Sequence, residues 1–347
     1  MKQLFSVCLV LAICTISQVK AQIETITYCK NCDNPREIKV SLLDSFLDSV
    51  ANLNSEQLGR AVNAYYDSTY RQKSTVGITL SKKDFNLLKE SIENGEVHSS
   101  SFEQIFSIEP DPSWIYEGQI ALESFVFKGS EQDPIEFAIV AGAQTSWEGK
   151  TFFFIRNQLF EIHEVFHKGN YEISHYTGPE GNTIVHYLRN HGRGTGISQY
   201  NHCFYEFTES GLRPVLNLIQ TGVLYSGGSH RNFNIHLRKS SSTPLIFDSE
   251  YNSAIWMDDF EEYAVIDSGS VNLQYVWDQK ENTYKANSQN KLSNDQLLSF
   301  YLEGNPLLFI NVYYDRLKHL IENGSAQEQG AVYQYLYSLK SDLEDKF

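Results

Sequence analysis

The sequence has little positive charge for its length. Its 347 residues include 28 Lys and Arg against 43 Asp and Glu, which gives a formal net charge of −15. Binding to nucleic acid or to an anionic bilayer releases counterions through a positively charged face of the protein. The composition therefore argues against nucleic acid and anionic membrane surfaces as partners.

Long apolar segments are lacking except near the start of the chain. There, Lys2 precedes an apolar run from Leu4 to Ile16, and Ala21 ends the segment. This arrangement is typical of a secretory signal peptide over residues 1–21, and cleavage is expected after Ala21. We therefore expect a secreted or periplasmic protein that works on an extracytoplasmic ligand.

Two other interpretations of this segment fit less well. The apolar run has about 13 residues, whereas a helix that spans a membrane needs ~20. A lipoprotein signal would end at Cys14, but the branched side chain of Ile13 is unfavourable next to the cleavage site. We expect no transmembrane segment after the signal peptide is removed.

Cysteine is also scarce, with 5 residues, of which Cys8 and Cys14 lie in the signal peptide. Cys29 and Cys32 form a C-x-x-C pair in a leader over residues 22–34, and Cys203 is the third that remains. A thioredoxin-type redox site would follow a strand in a βαβ unit, which the neighbouring sequence does not contain. In an oxidising compartment the pair predicts a disulfide between Cys29 and Cys32, or a bridge from one of them to Cys203.

Apolar residues recur at three- and four-residue spacing in two parts of the chain, and this spacing predicts helices. The first part is a helical unit over residues 35–98, in which Ser81 is a cap and Gly95 an end. The second is a helical unit over residues 292–347, where Ser293 and Gln296 form a capping box. Each part is too small to bury a core alone, so we expect both to pack on the segment between them.

Short aromatic and β-branched runs, separated by turn residues, fill residues 119–286. Their close spacing leaves no room for crossover helices and predicts antiparallel neighbours joined by hairpins. The predicted strands are 120–128, 135–141, 151–156, 159–167, 171–176, 183–190, 197–207, 212–219, 233–238, 243–247, 262–267, 271–277 and 282–286. The fold class expected is α+β, with a central antiparallel β-meander, as a sandwich or an open barrel, flanked by N-terminal and C-terminal helices.

The segment His163 to His167 reads HEVFH and matches the H-E-x-x-H pattern of zinc peptidases. On a helix this spacing places two imidazoles one turn apart on one Zn²⁺, with Glu164 as the general base. Here charged residues flank the motif, no third ligand stands at the expected spacing, and the surrounding runs predict a strand. A metal-dependent hydrolase is therefore the alternative function, with zinc as its cofactor and Glu164 as its catalytic residue.

Histidines are frequent between residues 163 and 202, and most lie on or beside adjacent predicted strands. Cross-strand neighbours lie ~5 Å apart, so three imidazoles on a sheet can share one metal ion. The set considered is His163, His167 and one of His186 or His202. The alternative is that these histidines lie on a solvated sheet face and bind no metal.

The stretch from Gly194 to Gly222 combines a GTGI turn, the aromatic strand NHCFYEF and the sequence GLRPVLNLIQTG. It resembles parts of uncharacterised exported bacterial proteins in which a β-meander is flanked by helices. The resemblance implies export and a sheet, and it implies no activity. We expect a non-catalytic binding or interaction protein, without a cofactor, that uses its central sheet and its aromatic side chains.

Overall fold

A computed structural model describes most of the chain after the N-terminal segment. The described residues are 25–28, 36–71, 74–128, 135–142, 149–166, 173–194, 197–226, 229–239, 243–256, 263–301 and 306–344. The fold is α+β: antiparallel sheets occupy the centre of the sequence, and helices lie in its N-terminal and C-terminal regions. The predicted signal peptide lies outside the described residues.

The elements follow one another in chain order. The helices are α1 (Val40–Ala51), α2 (Ser55–Arg71), α3 (Lys82–Asn94), α4 (Ser99–Phe106), α5 (Asn294–Leu298), α6 (Pro306–Val312), α7 (Tyr314–Asn323) and α8 (Ala326–Glu344). The strands are β1 (Thr25–Tyr28), β2 (Arg36–Lys39), β3 (Ser74–Thr79), β4 (Glu96–His98), β5 (Ile115–Tyr116), β6 (Gln119–Ala121), β7 (Glu123–Lys128), β8 (Glu136–Gly142), β9 (Gly149–Arg156), β10 (Leu159–Phe166), β11 (Ile173–Thr177), β12 (Thr183–Gly194), β13 (Ile197–Thr208), β14 (Gly211–Ser226), β15 (Ser229–Lys239), β16 (Leu245–Trp256), β17 (Tyr263–Asp278) and β18 (Thr283–Ala286).

Two larger sheets form the centre of the molecule. One has five strands in the order β3-β10-β9-β8-β7, and the other is a meander of eight strands from β11 to β18. All the pairings are antiparallel, as expected from the short connections. Strand β3 of the five-stranded sheet lies within residues 35–98, where the spacing of apolar residues predicted only helices. Its sequence STVGIT is rich in β-branched residues, which favour a pleated sheet.

Capping residues set the ends of several helices, as predicted. The hydroxyl of Ser81 accepts a hydrogen bond from the backbone N–H of Asp84, and Gly95 ends α3 in the left-handed conformation. Ser293 and Gln296 form the reciprocal capping box of α5. Pro306 is the first residue of α6, where its missing N–H costs nothing.

The five-stranded sheet is buried on both faces. Phe153 and Phe160 on one face contact Phe106 of α4, at ring-centroid distances of 4.4 and 5.3 Å respectively. On the opposite face Phe152 contacts Tyr187 of β12, at 5.2 Å. The five-stranded sheet therefore lies between a helical layer and the first strands of the eight-stranded sheet.

The eight-stranded sheet curls, so that β18 comes into contact with β14. Its concave face encloses Phe233, Phe247 and Leu273, together with Tyr66 of α2 and Phe300 beyond α5. At the end of β16 and β17 the same face is covered by α1, α6, α7 and α8. Helices α1 and α2 and the C-terminal helices thus pack on the eight-stranded sheet, whereas α3 and α4 pack on the five-stranded sheet. Within the described residues no helix is long and apolar enough to cross a membrane.

Candidate functional site

The first four residues of the HEVFH segment, 163–166, lie on strand β10, as the surrounding sequence predicted. Residues 159–166 pair with β9 on one side and with β3 on the other. His163 is therefore not on a helix, and the one-turn spacing of a zinc peptidase does not arise here. His167 and the side chain of Glu164 lie outside what the structure describes.

His163 is buried between the two large sheets, where it joins Glu161 and Tyr187. Its Nε2 lies 2.7 Å from Oε1 of Glu161, and its Nδ1 lies 2.9 Å from the hydroxyl of Tyr187. The other carboxylate oxygen of Glu161 accepts a hydrogen bond from the backbone N–H of Leu212, at 2.8 Å. These groups connect β10 of the five-stranded sheet to β12 and β14 of the eight-stranded sheet.

Burial lowers the pKa of His163 below its ordinary value. The imidazole is therefore neutral at neutral pH, with Nε2–H donating to Glu161 and Nδ1 accepting from Tyr187. Because both ring nitrogens are already hydrogen-bonded, a metal ion would have to displace one of these partners. We name this arrangement the Glu161–His163–Tyr187 link.

His186 and His202 form a second hydrogen-bonded chain. Nε2 of His186 lies 2.9 Å from Nδ1 of His202, and Nε2 of His202 lies 3.3 Å from the backbone oxygen of Ile235. The hydroxyl of Ser174 lies 3.1 Å from Nδ1 of His186. A carbonyl oxygen only accepts, so His202 donates through Nε2; when this ring is neutral, its Nδ1 accepts from Nε2–H of His186. Burial lowers the pKa of both rings, that of His202 to about 4.

The structure does not bring His163 together with His186 or His202. His186 and Tyr187 are consecutive residues of β12, so their side chains lie on opposite faces of the sheet. His163 is next to Tyr187, whereas His186 and His202 lie beside Phe204 on the concave face. Within the described part of the chain, no group of three His, Cys, Asp or Glu side chains is placed to hold a metal ion.

The cysteine predictions concern residues that the structure describes only in part. Cys203 is a buried free thiol whose pKa is raised by burial to about 12, so it stays protonated. The disulfide candidates Cys29 and Cys32 lie outside the described residues.

The curled sheet opens where β14 passes between β15 and β18. β14 pairs with β15 only over Thr221–Ser226, and its earlier residues face β18 instead. Pro214 provides no backbone N–H, and a register shift falls beside it between Phe204 and Tyr205 of β13. Proline next to a bulge is typical of a strand edge that has no strand partner.

Side chains bond backbone groups along this opening. The hydroxyl of Thr283 on β18 donates to the backbone oxygen of Val215, at 2.6 Å. The hydroxyl of Tyr301 accepts from the backbone N–H of Ile219, at 2.9 Å. Nε2 of His202 likewise hydrogen-bonds the backbone oxygen of Ile235 on β15. β14 can therefore lie apart from β18 without leaving these groups unsatisfied.

A cavity of about 500 Å³ lies in this opening, under α2 and α5, and we call it the seam pocket. Leucine, tyrosine and asparagine residues provide much of its lining. Its lining is residues 214–218, Tyr275, residues 283–286, Asn63, Asn294, Leu297, Leu298 and Tyr301. Apolar walls with a few polar groups, at the mouth of a curled sheet, are typical of small-molecule sites.

Tyr275 is the least satisfied polar residue of the seam pocket. It is buried, and its hydroxyl has no hydrogen-bond partner among the described residues. Burial raises the pKa of Tyr275 and of Tyr284, so both hydroxyls stay protonated and uncharged. The charged side chain in the lining, Lys285, forms an ion pair of 2.6 Å with Asp278. The pocket therefore presents hydrogen-bonding groups without an unpaired charge.

The predicted sites do not include the residues of the seam pocket. These residues come from α2, β14, β17, β18, α5 and the segment after α5, so no local motif joins them. Pro214 interrupts an otherwise good strand sequence. Because proline is confined to strand edges and bulges, this residue could have indicated an unpaired strand edge here. No protein-family model matches this chain, and neither the curated proteins nor the solved structures contain a significant match.

Proposed function

We propose that this is an exported binding protein that holds a small, uncharged and partly apolar molecule in the seam pocket. The observation that carries the proposal is Tyr275, which lines a cavity of about 500 Å³ and whose buried hydroxyl has no partner among the described residues. A buried hydroxyl without a hydrogen bond costs ~1–3 kcal/mol. A bound ligand with a hydrogen-bonding group removes that cost.

The lining favours a neutral ligand. Leu218, Leu297 and Leu298 supply apolar contact, and the amides of Asn63 and Asn294 supply donors and acceptors. A charged ligand would lose its hydration and find no unpaired opposite charge in this lining. A compact aromatic or cyclic molecule that carries a hydroxyl, carbonyl or amine group fits these conditions.

The chemistry of the lining supports binding rather than catalysis. Among the described residues, the lining has no His, Cys, Ser, Asp or Glu that could act as a nucleophile or general base. The Glu161–His163–Tyr187 link contains acid and base groups, but each is engaged in joining the two sheets. We therefore propose no hydrolase activity.

A neutral fluorescent probe, N-phenyl-1-naphthylamine, tests the proposal. Its emission rises in an apolar site, so we expect saturable binding of one probe for each chain. Ala286 lines the pocket and is half-buried, and in an Ala286→Trp variant the indole occupies the cavity. We expect this variant to keep its unfolding midpoint and to lose saturable binding.

A Val276→Thr variant is the matched control, because Val276 is the neighbour of Tyr275 on the opposite, exposed face of β17. It should bind the probe as the unchanged protein does. Equal binding by the Ala286→Trp variant would show that the probe sits elsewhere and would contradict the proposal.

Export is a separate part of the proposal and rests on the sequence of residues 1–21. Expression of the full chain in a bacterial host, followed by intact-mass measurement of the recovered protein, tests it. We expect a mature protein that starts at Gln22. A mass that includes the apolar run from Leu4 would contradict export by this signal.

A further inference from the structure

Arg231 is a buried cation on the concave face of the eight-stranded sheet. It is 4% exposed. Its Nη1 donates to the backbone oxygen of Ser299, at 2.5 Å, and its guanidinium lies over the ring of Phe309, 5.1 Å from the centroid. Its Nε has no hydrogen-bond partner among the described residues.

No acidic side chain neutralises Arg231 in the described part of the chain. The ion pairs found there join other residues, and none places a carboxylate within 4 Å of this guanidinium. Buried charges in proteins are normally paired, because an isolated ion loses its hydration without compensation. One carbonyl oxygen and one aromatic face leave most of that loss uncompensated.

Two more buried hydroxyls lie near Arg231. Ser253 is directly opposite Arg231 in the pairing of β15 with β16, is fully buried, and has a hydroxyl without a partner. The hydroxyl of Tyr313 is also buried and makes no hydrogen bond of normal geometry, although Ser299 lies close to it. Both hydroxyls lack a hydrogen-bond partner among the residues that the structure describes. Arg231 therefore has two buried hydroxyls as neighbours, one from the paired strand β16 and one from the residue between α6 and α7.

We propose that Arg231, Ser253 and Tyr313 bind a small monovalent anion, with chloride as the physiological ion of that class. One negative charge neutralises the single guanidinium, and the anion accepts hydrogen bonds from Nε–H and from both hydroxyls. A water molecule can accept such bonds but leaves the buried charge unneutralised. Asp267, opposite Ser253 on β17, repels any anion here, and it repels one with two charges more strongly than one with a single charge.

A cavity that borders Tyr313 lies on the side of the site nearer to solvent. This cavity of about 460 Å³ lies between β17 and α7, and its lining includes Tyr313 and Asp267 together with the exposed residues Ser268, Asp315 and Arg316. Tyr313 thus borders this cavity and also lies near the guanidinium of Arg231. This site does not share the lining of the seam pocket, so the test of one does not decide the other.

Halide dependence of folding tests the site. The full-length protein is unfolded thermally in sodium chloride, sodium bromide or sodium gluconate at one constant ionic strength. A ligand that binds only the folded state raises the unfolding midpoint. We expect a saturable rise with chloride and bromide and none with gluconate, and an anomalous bromide peak next to Nε of Arg231 in crystals.

Variants show whether the effect belongs to Arg231. An Arg231→Met variant should lose the halide dependence, and a Ser253→Ala variant should need a higher halide concentration for the same rise. An Arg238→Met variant is the control, because Arg238 is an exposed residue of the same strand, paired with Asp248. Midpoints that are equal in chloride and gluconate, or no bromide peak beside Arg231, would overturn the proposal in favour of bound water.

Discussion

Tyr275 differs from Tyr176, Tyr284 and Tyr301, which lie in the same apolar core. Tyr176 donates to the hydroxyl of Tyr284, and Tyr301 accepts from the backbone of Ile219. The hydroxyl of Tyr275 has no such partner among the described residues. A buried hydroxyl without a hydrogen bond lowers the stability of the folded protein.

A Tyr275→Phe variant should be more stable than the unchanged protein. Removing a buried hydroxyl that makes no hydrogen bond should raise the free energy of unfolding by ~1 kcal/mol. Urea unfolding without ligand measures this change. A Tyr284→Phe variant is the comparison and should be less stable, because Tyr176 loses its acceptor. A loss of stability in Tyr275→Phe would show that the hydroxyl is satisfied and would remove the main support for the seam pocket.

His202 makes folding sensitive to acid. Its pKa is lowered by burial to about 4, compared with ~6.5 in an unfolded chain. The unfolded state therefore binds more protons in this range, so stability is complete above pH ~6.5 and falls as the pH is lowered towards 4. The two pKa values correspond to a loss of ~3 kcal/mol. Urea unfolding at neutral pH and near pH ~4 measures it.

A His202→Gln variant separates this effect from general acid sensitivity. Its amide can still accept from His186 and donate to Ile235, but it does not titrate. We expect a weaker dependence of the free energy of unfolding on pH in this variant. The exposed His319 provides the control, and a His319→Gln variant should behave as the unchanged protein does. A pH dependence that is identical in all three proteins would refute the assignment to His202.

At the scale of elements, the ends of helices were the most predictable features. Ser81 and Gly95 bound α3, and Ser293 and Gln296 begin α5, because capping depends on residues close together in sequence. Strand ends were less predictable, and β17 is one strand where the sequence indicated two. Gly269 in its middle suggests a break, but it lies beneath the ring of Tyr251, and a Cβ added to it would lie 3.2 Å from the tyrosine hydroxyl oxygen.

Substitutions at Gly95 test whether this residue ends α3 through its left-handed conformation. Its φ is +74°, and a Cβ added there meets no atom within 4 Å, so a substitution acts through the backbone alone. Gly95→Ala should lower the free energy of unfolding by ~1 kcal/mol, and Gly95→Asn by less, because asparagine tolerates this conformation. Gly194→Ala, also in open space, should change it by less than ~0.5 kcal/mol. Equal effects at the two glycines would contradict the capping role.

At the scale of the whole molecule, the sequence predicted an α+β fold with an antiparallel meander, as a sandwich or an open barrel, but not which strands form each of the two larger sheets. The alternation of side chains along β9 and β10 indicates strands, but a period of two residues does not predict which strands pair with each other. β3 joins β10 from far away in the sequence, and the seam pocket depends on β14 meeting β18 across the curl. Such contacts depend on long-range packing rather than on local pattern.

The Glu161–His163–Tyr187 link provides a test of how the two sheets are held together. Tyr187→Phe leaves Nδ1 of His163 without that donor, and Glu161→Gln leaves one oxygen to accept from both His163 and Leu212. Each change should lower the free energy of unfolding by ~1–3 kcal/mol. Because both act through His163, the double variant should depart from additivity by at least ~0.5 kcal/mol. Tyr187→Phe combined with the distant Gly95→Ala should be additive within the same margin. Urea unfolding of the six proteins measures both cycles, and additivity in the first would mean that packing between Phe152, Phe154 and their neighbours joins the sheets without the link.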